Sequence, residues 1–222
     1  MKNLWSSLVL VAGVSLFSAQ QTRNVGEFNS LKVYDRIPVE LVQSSKAKVE
    51  VLGSNETDVE VVNKNGELKI RMTASKIMQG SDTKVVVYYE NLNDIQASQG
   101  ATISSNDKVK SSMLKLTANE GSKINLEVNA DRLNAKGNSG GEILVSGKSK
   151  SQDIVMNSGA KFNGSQLQSS NATVASNAGG EVQVYASESI SATTRAGGRI
   201  DVYGDPDDRK VKKVVGGTIN FK

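Results

Sequence analysis

The chain has 222 residues, enough for one large domain or two small ones, with 5% aromatic residues, two prolines and twenty glycines. It has no cysteine and no histidine, which excludes disulfides, thiolate or imidazole metal sites, and Ser-His or Cys-His nucleophile pairs, and argues against a lipoprotein-type cysteine anchor. The net charge of +4 comes from 27 basic and 23 acidic residues of interspersed sign, with no basic patch interleaved with aromatics, so no nucleic-acid partner is expected. Serine, asparagine, valine and glycine suit many short strands joined by tight turns. The scarcity of large aromatics points to a thin core of stacked aliphatic side chains.

Met1 to Ala19 reads as a secretory signal peptide. Lys2 supplies the positive start, Leu4 to Phe17 is apolar apart from small residues, and cleavage after Ala19 would expose Gln20. Phe17 departs from the small residue preferred at that position. No later segment is apolar and long enough to span a membrane, so an exported, soluble mature chain is expected, in the periplasm, on the outer surface or secreted. Residues 20–27 then read as a linker.

Residues 28–90 form a β-rich region that is expected to cap the rest and run continuously into it. Short alternating runs recur at Leu31–Val33, Val39–Leu41, Val49–Val51, Val59–Val61, Leu68–Ile70 and Val85–Val87. Asn65-Gly66 between two such runs is a strong hairpin signal, and residues 75–83 read as a polar loop. This region lacks the register of the repeat that follows it.

From residue 91 onward, a glycine followed three residues later by a large apolar residue recurs seven times. The glycines are Gly100, Gly121, Gly140, Gly159, Gly179, Gly197 and Gly216, spaced by 21, 19, 19, 20, 18 and 19 residues. The apolar partners are Ile103, Ile124, Ile143, Phe162, Val182, Ile200 and Ile219. Five residues before each glycine stand Ile95, Leu116, Ala135, Ile154, Val174, Ala192 and Val211, all apolar. Two residues beyond the Ile/Val/Phe column come Leu126, Val145, Val184, Val202 and Phe221, with Ser105 and Gly164 as exceptions. Alternate residues share one face of a strand, so these are inward columns. Two residues before four successive glycines stand Asn119, Asn138, Asn157 and Asn177. Asparagines stacked about 4.8 Å apart can hydrogen-bond amide to amide in a ladder, and they also tolerate a sharp corner. The fold expected is all-β: a single-stranded, right-handed parallel β-helix of about seven coils over 91–222, making one continuous domain of 28–222. Leucine-rich and calcium-binding nonapeptide repeats lack this pattern.

Phe28 to Val33, the Gly66-Glu-Leu68-Lys-Ile70 run, the Gly-x-x-Ile repeats, the Tyr203-Gly204-Asp-Pro206 turn and the Gly217-Thr-Ile219-Asn220 end together resemble a bacterial exported family. It is the auto-transporter adhesin, head GIN domain family, common in Bacteroidetes. The resemblance covers roughly residues 27–220 and implies a β-helical surface or periplasmic protein with an adhesive role. It implies no catalytic residues and no cofactor. No auto-transporter barrel follows the repeats before Lys222, so self-insertion into the outer membrane is not expected.

Several side chains merit weighing. Glu142, Glu181 and Asp201 lie near one corner in three coils, with Lys161 between the two glutamates. Two coils of separation would place Glu142 and Glu181 about 9–10 Å apart, near the spacing used by inverting glycosidases. Without a groove or an aromatic sugar platform, charged residues on a solvated strand are the favoured reading. Asp205, Asp207 and Asp208 could offer oxygen ligands to calcium, but Arg209 and Lys210 follow at once, and a solvated turn is favoured. Of Tyr88 and Tyr89, one is expected to face the core. Tyr185 and Tyr203, just beyond an apolar column, are the candidate ligand contacts. No metal site, cofactor or catalytic residue is expected. The function expected is a non-enzymatic exported protein that presents a repetitive polar face to a surface polysaccharide or to an envelope or host protein. The alternatives are an envelope structural or stress-response component and, less favoured, a polysaccharide-degrading enzyme. Sequence leaves the oligomeric state open, although poorly capped coil ends would favour end-to-end association.

Overall fold

The computed structural model describes residues 21–53 and 55–222; the signal segment and its cleavage point lie outside them. Strands β1 (Gln21–Asn24), β2 (Ser30–Val33), β3 (Pro38–Gln43), β4 (Lys48–Gly53), β5 (Val59–Lys64), β6 (Glu67–Met72) and β7 (Thr83–Tyr89) build the N-terminal part. They are followed by β8 (Asp94–Ala97), β9 (Thr102–Ser105), β10 (Val109–Asn119), β11 (Lys123–Asn138), β12 (Glu142–Asn157) and β13 (Lys161–Asn177). The last five are β14 (Glu181–Tyr185), β15 (Ser189–Arg195), β16 (Arg199–Tyr203), β17 (Asp208–Val214) and β18 (Thr218–Phe221).

Each coil leads one stretch of strand into a corner and another stretch out of it. The long strands β11, β12 and β13 bend and serve both sides. Stacking these stretches makes two walls, parallel along the coils and antiparallel at β1–β4, β4–β7 and β5–β6. The wall entering the corners runs β5-β6-β2-β8-β10-β11-β12-β13-β15-β17, and the wall leaving them runs β1-β4-β7-β3-β9-β11-β12-β13-β14-β16-β18. The chain is a β-solenoid whose glycine-marked coils repeat about every nineteen residues.

Register partners form the core columns. Ile103, Ile124, Ile143, Phe162, Val182, Ile200 and Ile219 stack rung on rung, and all are buried. Ile95, Leu116, Ala135, Ile154, Val174 and Ala192 form the second column, buried throughout, and Val211 ends it at 47% exposure. A buried aliphatic side chain of this size stabilises by about 1.5–3 kcal/mol, so one coil contributes several such increments and depends on its neighbours to realise them. The Gly164 exception has a steric cause. A Cβ there would meet atoms of the Phe162 ring at 2.5 and 2.8 Å, so the one phenylalanine of the first column uses the space its own coil gives up in the third.

The N-terminal region departs from the sequence reading in two places. Residues 20–27, read as a linker, contain β1, which pairs antiparallel with β4. Residues 28–43, read as lacking the repeat register, hold it: Leu31 pairs with Ile95, Val33 with Ala97 and Val39 with Ile103. The glycine search misses this coil because its corner is Tyr34-Asp35-Arg36-Ile37. Asp35 and Arg36 take the left-handed pair of conformations, φ 60° and 62°, that Gln99 and Gly100 take one coil on, φ 55° and 73°. Local hydrogen bonding lets Asp visit this region without glycine. Asp35 is also buried, and its carboxylate accepts the Met72 and Met78 N–H groups at 3.0 and 3.3 Å, which ties the 73–82 loop to the corner.

Layer order differs from chain order here. β2 lies between β6 and β8, and β3 between β7 and β9, so the first layer in sequence is the second in space. The Asn65-Gly66 hairpin, φ 53° and 78°, then folds β5 antiparallel onto β6. Across this end, Arg23 donates to the Val59 carbonyl at 2.9 Å, and Asn63 Nδ2 donates to the Val25 and Glu27 carbonyls at 2.7 and 2.9 Å.

Candidate functional site

The corners set what the surface can present. In each, two consecutive residues are left-handed, as with Ser139 (φ 49°) and Gly140 (φ 74°), and in the corners up to Asn177 the residue before them accepts the N–H three positions on: Gly141 N–H to Asn138 O at 3.0 Å. The repeat glycine is there for conformation, since a Cβ on Gly140 would meet nothing within 4 Å. The next residue is small for a steric reason. A Cβ on Gly141 would lie 2.2 Å from the Ala118 carbonyl oxygen of the adjacent coil. The turn brings consecutive coils into close contact and puts the preceding asparagines in line.

Those asparagines make a continuous amide chain. Asn138 Nδ2 donates to Asn119 Oδ1 at 2.8 Å, Asn157 to Asn138 at 2.9 Å, and Asn177 to Asn157 at 2.8 Å. Ser98 Oγ accepts from Asn119 Nδ2 at one end, and Arg195 donates to Asn177 Oδ1 at the other, both at 3.3 Å. Each bond in such a partly buried row polarises the next.

On the outer face of the leaving wall, Thr102, Lys123, Glu142, Lys161, Glu181, Arg199 and Thr218 are successive register partners. The five central residues alternate in sign. Lys123 reaches Glu142 at 3.3 Å and Lys161 reaches Glu181 at 3.6 Å, with every side chain about half exposed. Glu142 and Glu181 therefore sit two rungs apart with a lysine between them, each in an ion pair. Such exposed pairs are worth only about 0–1 kcal/mol, but they disfavour a slip of one rung, which would put like charges side by side. The neighbouring aromatic, Phe162, points inward and is buried.

Asp201 does not join the two glutamates. It stands in the next column, paired with Gln183 and Asn220, and its side chain is 7% exposed. Burial would push its carboxyl up, but the Asn220 amide at 2.7 Å and the Arg199 guanidinium at 2.9 Å outweigh that and hold it below the ordinary aspartate value.

Tyr185 and Tyr203 are brought together as register partners on adjacent rungs, both half-buried. The Tyr185 ring lies against Gly204, where a Cβ would approach it to 2.8 Å. Tyr89 faces the core, its hydroxyl buried without a hydrogen-bond partner, and burial pushes it up to about 12. Tyr88 faces out: its hydroxyl donates to Glu50 at 3.0 Å, and Lys48 Nζ lies 4.1 Å from its ring centroid. In the acidic turn, Arg209 holds the Asp205 carboxylate and donates to the Pro206 carbonyl at 2.7 Å, and Lys210 reaches Asp208 at 3.7 Å. Among the described residues, no three acidic side chains converge in a way that could hold a metal ion. No helix among them is long and apolar enough to cross a membrane.

A β-solenoid with register-matched polar walls and an amide-laddered edge defines a class of repeat protein made of stacked coils. The chain matches the family "Putative auto-transporter adhesin, head GIN domain" over residues 27–206, and it belongs to that family. Solved structures agree in fold. A putative adhesin from Bacteroides fragilis has a TM-score of 0.86 at 19% identity, covering 94% of this chain and 98% of its own. A putative adhesin from Parabacteroides merdae has a TM-score of 0.74 at 18% identity, with coverage of 92% and 95%. A putative lipid binding protein from Parabacteroides distasonis has a TM-score of 0.69 at 16% identity, with coverage of 92% and 96%. No functionally curated protein matches the chain.

Proposed function

We propose that this protein is a non-enzymatic, exported binding rod that holds a surface polysaccharide or an envelope or host protein through many weak contacts along its walls. The observation that carries this reading is the charge-alternating column from Lys123 to Arg199, repeated at one strand spacing on a stiff scaffold. A ligand with its own repeat meets several equivalent groups at once, and the avidity of linked contacts exceeds any single affinity. Tyr185 and Tyr203 add a two-rung aromatic step near the C-terminal end, where a sugar ring or apolar side chain could rest. Export by cleavage after Ala19 is part of the same reading, and the N-terminal mass of the mature protein tests it.

Binding is tested by passing the full chain over immobilised polysaccharides and matrix proteins. Selective retention that weakens when Tyr185 and Tyr203 become alanine supports the reading. Absence of retention up to about 100 μM, where contacts of only ~6 kcal/mol register, sinks it. Retention by envelope proteins alone, unchanged when Tyr185 and Tyr203 become alanine, would favour the structural or stress-response alternative. Release of reducing ends that stops in Glu142→Gln would favour the enzyme.

A further inference from the structure

The two ends of the rod differ in charge as well as in cover. At the C-terminal end, β17 pairs with β15 and β18 with β16, and among the described residues no strand lies on their outer edges. β17 carries Arg209, Lys210, Lys212 and Lys213, with Lys222 just after β18. Between these charges lie the exposed valines Val211 at 47% and Val215 at 83%, and Phe221 lies under the Arg209 guanidinium, 4.4 Å from its ring centroid. At the N-terminal end the outermost strand of the same wall is β5. Glu56, Asp58 and Glu60 precede or begin it, Glu60 in an ion pair with Arg71 at 2.8 Å, and Val62 on it is 50% exposed.

We infer that the rod associates head to tail with further copies of this chain, the basic β17–β18 end of one seating on the Glu56–Glu60 segment at the β5 end of the next. Topology makes the ends match. Among the described residues β17 and β5 terminate one wall, and β18 and β1 terminate the other, so translation along the axis with some rotation brings like walls into line. Charge selects the partner. Lysines on an open strand edge repel a second copy of that edge, which disfavours tail-to-tail pairing, yet the same lysines attract the Glu56–Glu60 segment. Arg23 already occupies the Val59 carbonyl at the N-terminal end, so the contact rests on side chains and exposed valines rather than on a ladder continued along all of β5. A heterologous contact of this kind does not close on itself and gives an open series.

Sedimentation velocity of the full chain from about 5 to 200 μM tests this, with an average mass expected to climb past dimer without a plateau. Raising salt to about 1 M cuts the screening length from about 8 Å to 3 Å and is expected to weaken association at least about tenfold. Two charge-reversed variants, K212E/K213E and D58K/E60K, are each expected to remain monomeric, with circular dichroism checking that they fold. Mixed in equal amounts they are expected to associate again, because each then offers the end the other lacks. A wild-type chain that stays monomeric, a mass that stops at dimer, or a mixture that fails to associate would each overturn the inference.

Discussion

The N-terminal and C-terminal ends are built from similar aliphatic residues with different outcomes. At the first, β4 and β5 fold back antiparallel, and Val49, Val51, Val59 and Leu68 are all buried. At the second, Val211 belongs to the same column as Ala192 and Val174 and is nearly half exposed, because among the described residues no strand pairs with the outer edge of β17. Burial in a stacked repeat belongs to the neighbour as much as to the residue, and the two ends show what one covering layer changes.

Four experiments sharpen that contrast, from the largest expected effect to the smallest. Ile143→Ala, in mid-column, is expected to cost about 2–5 kcal/mol in urea unfolding, whereas Val211→Ala should stay within about 0.5 kcal/mol. Equal losses would show that the last coil is covered in solution. Asp35→Ala leaves the Met72 and Met78 N–H groups without their acceptor and is expected to cost about 2–3 kcal/mol. Hydrogen exchange should then rise in β6 and β7 while β15 to β18 stay unchanged, and uniform exchange would contradict a separate N-terminal lock. Asn157→Ala removes two amide bonds of the ladder and is expected to cost about 1–2 kcal/mol, with an intact fold by circular dichroism. The smallest effect concerns acid. The Asp201 carboxyl lies below its ordinary value of 3.8 in the folded chain, so its stabilising contribution is present above that pH and is lost as pH falls through the folded value. Asp201→Asn is expected to flatten the acid limb below about pH 4, seen as a smaller difference in melting temperature between pH 5 and pH 3.

Most of the solenoid was legible in the sequence because its constraints are local and periodic. A left-handed corner calls for glycine, a stacked interior calls for aliphatics at alternate positions, and both recur at the coil length. The layer at β2 and β3 was hidden because Asp35 and Arg36 turn the corner without glycine. The interleaving of β6 and β7 was hidden because nothing in a residue's identity records which layer lies beyond it. The surface was less legible. The Lys123–Arg199 column shows only when five coils are laid in register, and a scan for acidic pairs finds Glu142 and Glu181 with Lys161 between them while passing over Lys123, which holds Glu142. Asp201 is two residues along the strand from that column, and sequence proximity to the corner does not reveal the difference.

The misordered N-terminal layer bears on how the rod would carry tension. Backbone bonds between coils run along its axis, so a pull on the C-terminus can peel one coil at a time, each releasing nineteen residues or so, about 65 Å of slack. A pull on the N-terminus meets a different arrangement. β2 and β3 lie clamped between β6–β7 on one side and β8–β9 on the other, and withdrawing them requires both neighbours to part together. A force–extension record with regular steps from one end and a single high rupture at the other would be its signature, and identical records from both ends would rule it out. One end of the rod would then yield gradually under load while the other holds.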